Sequence, residues 1–322
     1  MKNLFLLSLL LLSFACTNNE LKQENLTLEE ETTTLEGRGC GSMEVFDEQM
    51  ANNPEFAQNI QVIEEQASNF DITKLRLVNG QIEIPVVVHV IYRTNAENIS
   101  DAQVQSQIDV LNEDFNLQNS DASLIPSVFS GVAANVGLNF KLEAITRTYS
   151  SKRSWRTNDD MKKSSRGGVD PWDPSQYLNM WVVNSIKSGR STILGYAQFP
   201  GGPAATDGVV IGYNFFGRVG SLSAPYDLGR TTTHEVGHWL NLRHIWGDGG
   251  CGVDDFVADT PISDGPNFGC PSYPTVRCSS TDMTMNYMDY VNDGCMYMFS
   301  NGQKDRMLSL FAPGGFRAGM AI

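Results

Sequence analysis

The chain is 322 residues long, with 41% hydrophobic and 19% charged residues, a globular balance with room for one large core or two modest ones. Its net charge of −14 argues against a nucleic-acid partner, because phosphate neutralisation needs clustered Lys and Arg. The acidic excess suits a solvated surface, cation binding or attraction to basic substrates.

In chain order, the first element is a targeting segment. Lys2 supplies a positive start, residues 4–14 are almost wholly apolar, and Ala15 stands directly ahead of Cys16. This pattern predicts a signal peptide over residues 1–15, too short to span a bilayer. A small residue followed by cysteine resembles a bacterial lipoprotein cleavage site. The mature protein is therefore expected outside the inner membrane, either lipidated on Cys16 as an outer-membrane lipoprotein or plainly secreted. Residues 16–78 read as a tether and leading segment, and residues 79–322 as the main domain. The tether (residues 17–37, TNNELKQENLTLEEETTTLEG) is polar and acidic, with no aromatic residue. Helical spacing begins at residue 43 and runs to residue 70, with Phe56, Ile60 and Ile63 in register. The polar joint DITKLRLVNGQ follows, carrying Lys74 and Arg76.

IEIPVVVHVIY (residues 82–92) reads as a buried strand, with His89 as a hydrogen-bonded core histidine. Ser100 and Gln103 form a capping-box pattern, and the helix after them carries Val104, Ile108, Leu111 and Phe115 on one face. Residues 138–149 alternate like a half-covered strand. Residues 178–186 and 208–213 are further strands, and LGYAQF (194–199) an edge strand. Residues 227–240 form the helix that carries the histidines. Residues 251–298 are rich in Gly, Pro, Asp and Cys, with little periodicity. Ser300 and Gln303 cap a last helix over residues 303–311. The expected fold is α/β: an upper twisted mixed sheet with backing and active-site helices, a lower irregular disulfide-tied lobe, and a cleft between them.

Of the six cysteines, Cys16 belongs to the signal and Cys40 stands alone, while Cys251, Cys270, Cys278 and Cys295 follow the histidines. An extracytoplasmic location permits disulfides. Four cysteines allow three pairings, and spacing does not choose among them.

THEVGHWLNLRHIWGD (residues 233–248) holds three of the four histidines. His234 and His238, one helical turn apart, present both imidazoles to one ion. The chain must then turn sharply for His244 to reach the same ion. Asn241 stands where the long zinc-peptidase pattern H-E-x-x-H-x-x-G-x-x-H has glycine. Asparagine is the next best residue at positive φ, at a cost of about 1 kcal/mol. Three neutral ligands leave a fourth zinc position open, as a catalytic site requires. Zinc lowers the pKa of bound water and polarises a carbonyl, and Glu235 can take the water's proton and pass it to the leaving amine.

HEVGHWLNLRHIWGD, the four downstream cysteines, ADTP (258–261) and NYMDY (286–290) together resemble the pappalysin-like family of metzincin zinc endopeptidases, its bacterial members especially. The likeness runs from about Cys40 to Phe311 and implies a metzincin-type two-lobed zinc endopeptidase acting on proteins or peptides. It implies Met288 as a hydrophobic floor under the zinc, and Tyr290 as a residue that donates to the oxyanion or swings onto the metal. It pairs Cys251 with Cys278 and Cys270 with Cys295. It places Asp293 in the wall of the pocket just beyond the scissile bond, where an acid suits Arg or Lys; a solvent-facing loop aspartate is the competing account. It also implies calcium near Asp254, Asp259 and Thr260, residues that read equally well as solvated loop oxygens. In GRGCGSMEV (37–45), a thiolate from Cys40 can occupy the open zinc position of a latent form, with glycines on either side for close approach. Activation would then require a cut in the polar joint. The edge strand at 194–199 would pair with extended substrate, or be covered. Two rival readings are a zinc hydrolase acting on something other than peptides and a catalytically weak surface zinc-binding protein; the intact Glu235 counts against the second.

Overall fold

The computed structural model describes residues 37–75 and 80–320. The signal peptide, Cys16, the tether and Arg76 lie outside the described residues.

The helical pattern over residues 43–70 resolves into two helices, α1 (Ser42–Asn52) and α2 (Pro54–Ser68). Pro54 causes the break. It has no N–H to continue α1 and holds Asn53 extended, at φ −126°. Asn53 then caps α2, its side-chain oxygen accepting from the amides of Glu55 and Phe56. Phe56, Ile60 and Ile63 of α2 are buried in the main core, so this hairpin is a packed part of the fold.

The main sheet comes next. β1 (Ile82–Tyr92) leads to α3 (Asp101–Phe115), β2 (Leu138–Tyr149), β3 (Trp155–Arg156), β4 (Leu178–Val183), β5 (Ile186–Ser188), β6 (Ser191–Ile193), β7 (Gly195–Ala197) and β8 (Val209–Gly212). Strand order is β2-β1-β4-β8-β7. The first four strands are parallel, and β7 closes the edge antiparallel to β8. The expected stripe of α3 is fully buried. The capping box at its start is only half made. Ser100 accepts from the Gln103 amide, but the Gln103 side chain turns away to the carbonyls of Tyr213 and Phe216. The expected strand over 178–186 ends at Val183, and β5 joins β3 and β6 in a separate three-stranded sheet. His89 is a core histidine, bonded to Thr146 Oγ1 at 2.9 Å and Asn179 Oδ1 at 3.0 Å.

α4 (Arg230–Trp239) starts three residues later than the pattern over 227–240 suggests. Gly229 sits at φ 80°, which no run of helix accommodates, and Asp293 Oδ2 accepts the amides of Leu228 and Arg230 beyond it. Below α4 the chain is irregular except for the short β9 (Val276–Arg277) and β10 (Ser280–Thr281). Two disulfides tie this lobe, Cys251–Cys278 and Cys270–Cys295, the pairing that the resemblance implies. α5 (Asn301–Ser309) opens two residues earlier than expected, on a complete capping box between Ser300 and Gln303. The mixed α/β, two-lobed fold is the expected one.

Candidate active site

Every residue of α4 is buried, and the helix presents His234 and His238 toward one point. The chain leaves it through Asn241 at φ 71°. There the Asn241 amide donates to the His238 carbonyl and the Leu242 amide to the Gly237 carbonyl, the crossed pair of bonds that ends a helix on a left-handed residue. This turn returns His244 to the other two histidines. His238 Nε2 lies 3.2 Å from His234 Nε2 and 3.2 Å from His244 Nε2.

The ring orientations are fixed from behind. Each Nδ1 faces an oxygen: the Tyr287 carbonyl at 2.7 Å for His234, the Leu242 carbonyl at 2.8 Å for His238, and Asp248 Oδ1 at 2.6 Å for His244. A carbonyl cannot donate, so Nδ1 of His234 and His238 carries the proton and Nε2 keeps its lone pair. Burial holds both imidazoles well below their ordinary pKa; the His238 and His244 rings add to that for His234, and the His244 ring for His238. Three ring nitrogens about 3 Å apart fit one tetrahedral zinc, whose nitrogen ligands lie about 2.0–2.1 Å from the ion. With Cys40 Sγ, the ligand atoms of this cluster all lie within 4.8 Å of one another, and it is the one such metal-competent cluster among the described residues.

Glu235, 1% exposed, lies beside the cluster. Its Oε2 accepts from Ser42 Oγ at 2.7 Å and from the Cys40 thiol at 3.3 Å, and burial raises its pKa to about 7. Met288 lies beneath, fully buried. A Cβ on Gly237 would come within 2.5 Å of the Met288 sulfur, so the glycine inside HEVGH makes room for this floor. The ring of Tyr290 stands 4.8 Å from His244 and 5.7 Å from His234, flanking the fourth side of the cluster.

Residues 38–41 fill the cleft. Cys40 pairs parallel to Gly195 of β7, with the Gly41 amide donating to the Gly195 carbonyl and the Leu194 amide to that of Gly39. The edge strand is thus covered. A Cβ on Gly41 would come within 2.6 Å of Ile193, which accounts for glycine beside the cysteine. Asp293 is buried, not solvent-facing. One oxygen caps α4 and the other pairs with the Arg38 guanidinium, which also donates to Thr231 Oγ1 and lies 5.0 Å from the centre of the Tyr226 ring.

The loop singled out for calcium is arranged differently from the expectation. Asp259 is committed to α5, accepting from Ser300 Oγ and the Gly302 amide, and Asp254 is exposed. Thr260 donates to Asp255, a buried acid that the sequence reading passed over. Arg38 and Ser42 were also missed. The signal was present in GRGCGSM, where a cation and a hydroxyl flank the lone cysteine, but their partners lie 193–255 residues away.

The Peptidase_M43 family model, described as pregnancy-associated plasma protein-A, matches residues 161–312. Extracellular metalloprotease 1 of Coccidioides posadasii is 32% identical over 88% of this chain and 91% of its own length. An extracellular metalloprotease of Arthroderma benhamiae is 36% identical over 79% of this chain and 78% of its own. Among solved structures, mature mirolysin of Tannerella forsythia in complex with a cleaved peptide is 50% identical, with a TM-score of 0.72, covering 75% of this chain and 96% of its own. A promirolysin mutant from the same organism is 46% identical, with a TM-score of 0.79, and covers 88% of this chain and 97% of its own.

Proposed function

The chain belongs to the pappalysin family of metzincin zinc metalloendopeptidases, and we propose that it is an extracytoplasmic zymogen held latent by Cys40. The observation that carries this reading is the convergence of Cys40 Sγ with His234, His238 and His244, beside Glu235. His234, His238 and His244 would hold a zinc ion, which when bound would supply a Lewis acid for the scissile carbonyl and lower the pKa of water. Glu235 takes a proton from the attacking water and delivers it to the leaving amine as the C–N bond breaks. Tyr290 donates from its phenol to the carbonyl oxygen as negative charge develops there. In the latent form the Cys40 sulfur stands where water and substrate must enter, and Ser42 and Cys40 occupy the Glu235 carboxylate.

The pocket closed by Asp293 takes an Arg or Lys just after the scissile bond. Arg38 fills it here and is a built-in mimic of that side chain. Arg38 precedes Cys40, whereas the substrate's basic residue follows its scissile carbonyl. The pro-segment therefore lies reversed relative to substrate, which runs antiparallel to β7. Maturation cuts the joint near residues 74–79 and leaves a catalytic domain of residues 79–322. The larger share of this chain covered by promirolysin, 88% against 75% for mature mirolysin, supports that boundary. A lipid on Cys16 would hold the enzyme at the outer membrane; a palmitate label carried by the parent and lost in Cys16→Ala tests this. A calcium ion held by Asp254, Asp259 and Thr260 would have to draw Asp259 away from Ser300 and Gly302; melting unchanged by a calcium-selective chelator would refute it.

Two variants test the core of the reading. In the processed enzyme, Glu235→Ala should cut a peptide with an internal Arg at least about 10²-fold more slowly than the parent. Cys40→Ala should lower the inhibition of the uncut chain, with Arg38 still filling the Asp293 pocket. Parent-like cleavage by the first variant, or undiminished latency in the second, overturns the role given to that residue.

A further inference from the structure

Arg38 reaches Asp293 two residues before Cys40, and the chain runs past Cys40 in the other direction into α1 and α2, which cover two arginines. Arg243, next to His244, lies 4.6 Å from the ring centre of Phe46 of α1 and 5.2 Å from that of Phe256. Its Nε is buried and has no hydrogen-bond partner. Arg306 lies 5.5 Å from the Phe256 ring centre and binds Glu64 of α2 at both terminal nitrogens, at 2.7 and 2.5 Å. The charges facing Arg243 are Glu64 and Asp47 of the hairpin, Arg306, and Asp248, which is committed to His244. Phe256 is 56% exposed and held at φ 64°, a conformation that costs a bulky residue energy and aims its ring between the two guanidiniums.

Excision of the hairpin removes Phe46, Asp47 and Glu64 together. It leaves two guanidiniums around one aromatic ring without the carboxylates that matched them, and an uncompensated cation in a partly buried site draws an anionic partner. We propose that this cleft is a substrate subsite for an acidic side chain upstream of the scissile bond, with Arg243 as its specificity-determining residue. The position follows from the geometry. The Asp293 pocket holds the residue just after the scissile bond, so the other direction from Cys40 receives the residues before it. The Phe46 ring is 4.9 Å from Phe199, whose ring is 5.3 Å from His238. An extended peptide advancing about 3.3–3.6 Å per residue covers that span about three residues upstream. The substrate is then a peptide with an acid about three residues before, and an arginine just after, the cut. This inference rests on the zymogen reading above.

The test uses processed enzyme, shown by mass to lack residues 37–75, and two peptides alike except for Glu or Lys three residues before the bond to arginine. The parent should favour the Glu peptide in kcat/KM by about tenfold, the factor one charge-assisted hydrogen bond supplies, and lose most of the preference at 0.5 M salt. Arg243→Glu should reverse the preference, which a merely structural role would not do. If that variant does not fold, Arg243→Gln should flatten the ratio. Equal rates for the parent, or an equal loss on both peptides in the variants, overturns the subsite alone. Failure of the parent to cut either peptide overturns the arginine pocket at Asp293 with it. Excised hairpin found at full occupancy on the active enzyme also overturns the subsite, because the cleft is then already filled.

Discussion

Single residues set the site's tolerances. Asn241 shows how a departure from the glycine pattern is absorbed: its φ of 71° is one that asparagine adopts at modest cost, and its carbonyl accepts from Arg306 Nε at 2.7 Å. The side chain contributes little else, since its Nδ2 is buried without a partner. Asn241→Gly should therefore keep full zinc content and be at least as stable as the parent. Asn241→Ala, lacking the local polar side chain that eases the left-handed conformation, should lose about 1 kcal/mol. Urea unfolding of the metal-free proteins separates the two; coincident curves would mean that the backbone angle does not select the residue. Gly237 is the opposite case, with no room to spare. A methyl there would meet the Met288 sulfur, so Gly237→Ala should lower zinc retention even where the fold survives.

At the scale of elements, legibility followed locality. β1 and α3 were readable because their apolar spacing is strong and continuous, and every residue of the expected α3 stripe is buried. The histidine helix was readable because three histidines and a glutamate fall within one turn and the turn after it. What escaped depends on partners distant in sequence. Nothing near Gln103 indicates that its side chain serves the 213–216 turn, and nothing near Arg38 points to Asp293. The α1–α2 hairpin was legible as helix but not as core. Phe56 is fully buried, meeting Phe46 edge-on at 5.5 Å. Phe56→Ala should cost the proenzyme about 3–5 kcal/mol of hairpin packing and speed its activation. The processed enzyme, without α2, should be indistinguishable from the parent. Calorimetry of both forms checks this, and a processed form that also loses stability would place α2 in the mature enzyme.

Over the whole molecule, the two lobes share one buried apolar core but differ in what supplements it. The upper lobe adds a five-stranded sheet. The lower one, from residue 247 onward, has only two two-residue strands before α5, so backbone pairing contributes little there and covalent ties carry more of its order. Each disulfide closes a loop of similar length, 27 residues for Cys251–Cys278 and 25 for Cys270–Cys295, worth about 3.5 kcal/mol apiece by chain entropy. Their contents differ. The Cys270–Cys295 loop contains Met288, Tyr290 and Asp293, and backs His234 through the Tyr287 carbonyl. The Cys251–Cys278 loop contains no residue that faces the histidines. Replacing either pair by serines should lower the melting temperature by a similar amount. Loss of Cys270–Cys295 should in addition shed zinc to a chelator faster and weaken the proposed discrimination for arginine after the scissile bond. Loss of Cys251–Cys278 should leave both nearly unchanged. Equal zinc retention in the two double variants would show that packing of Met288 against α4, rather than the disulfide, keeps the floor of the site in place.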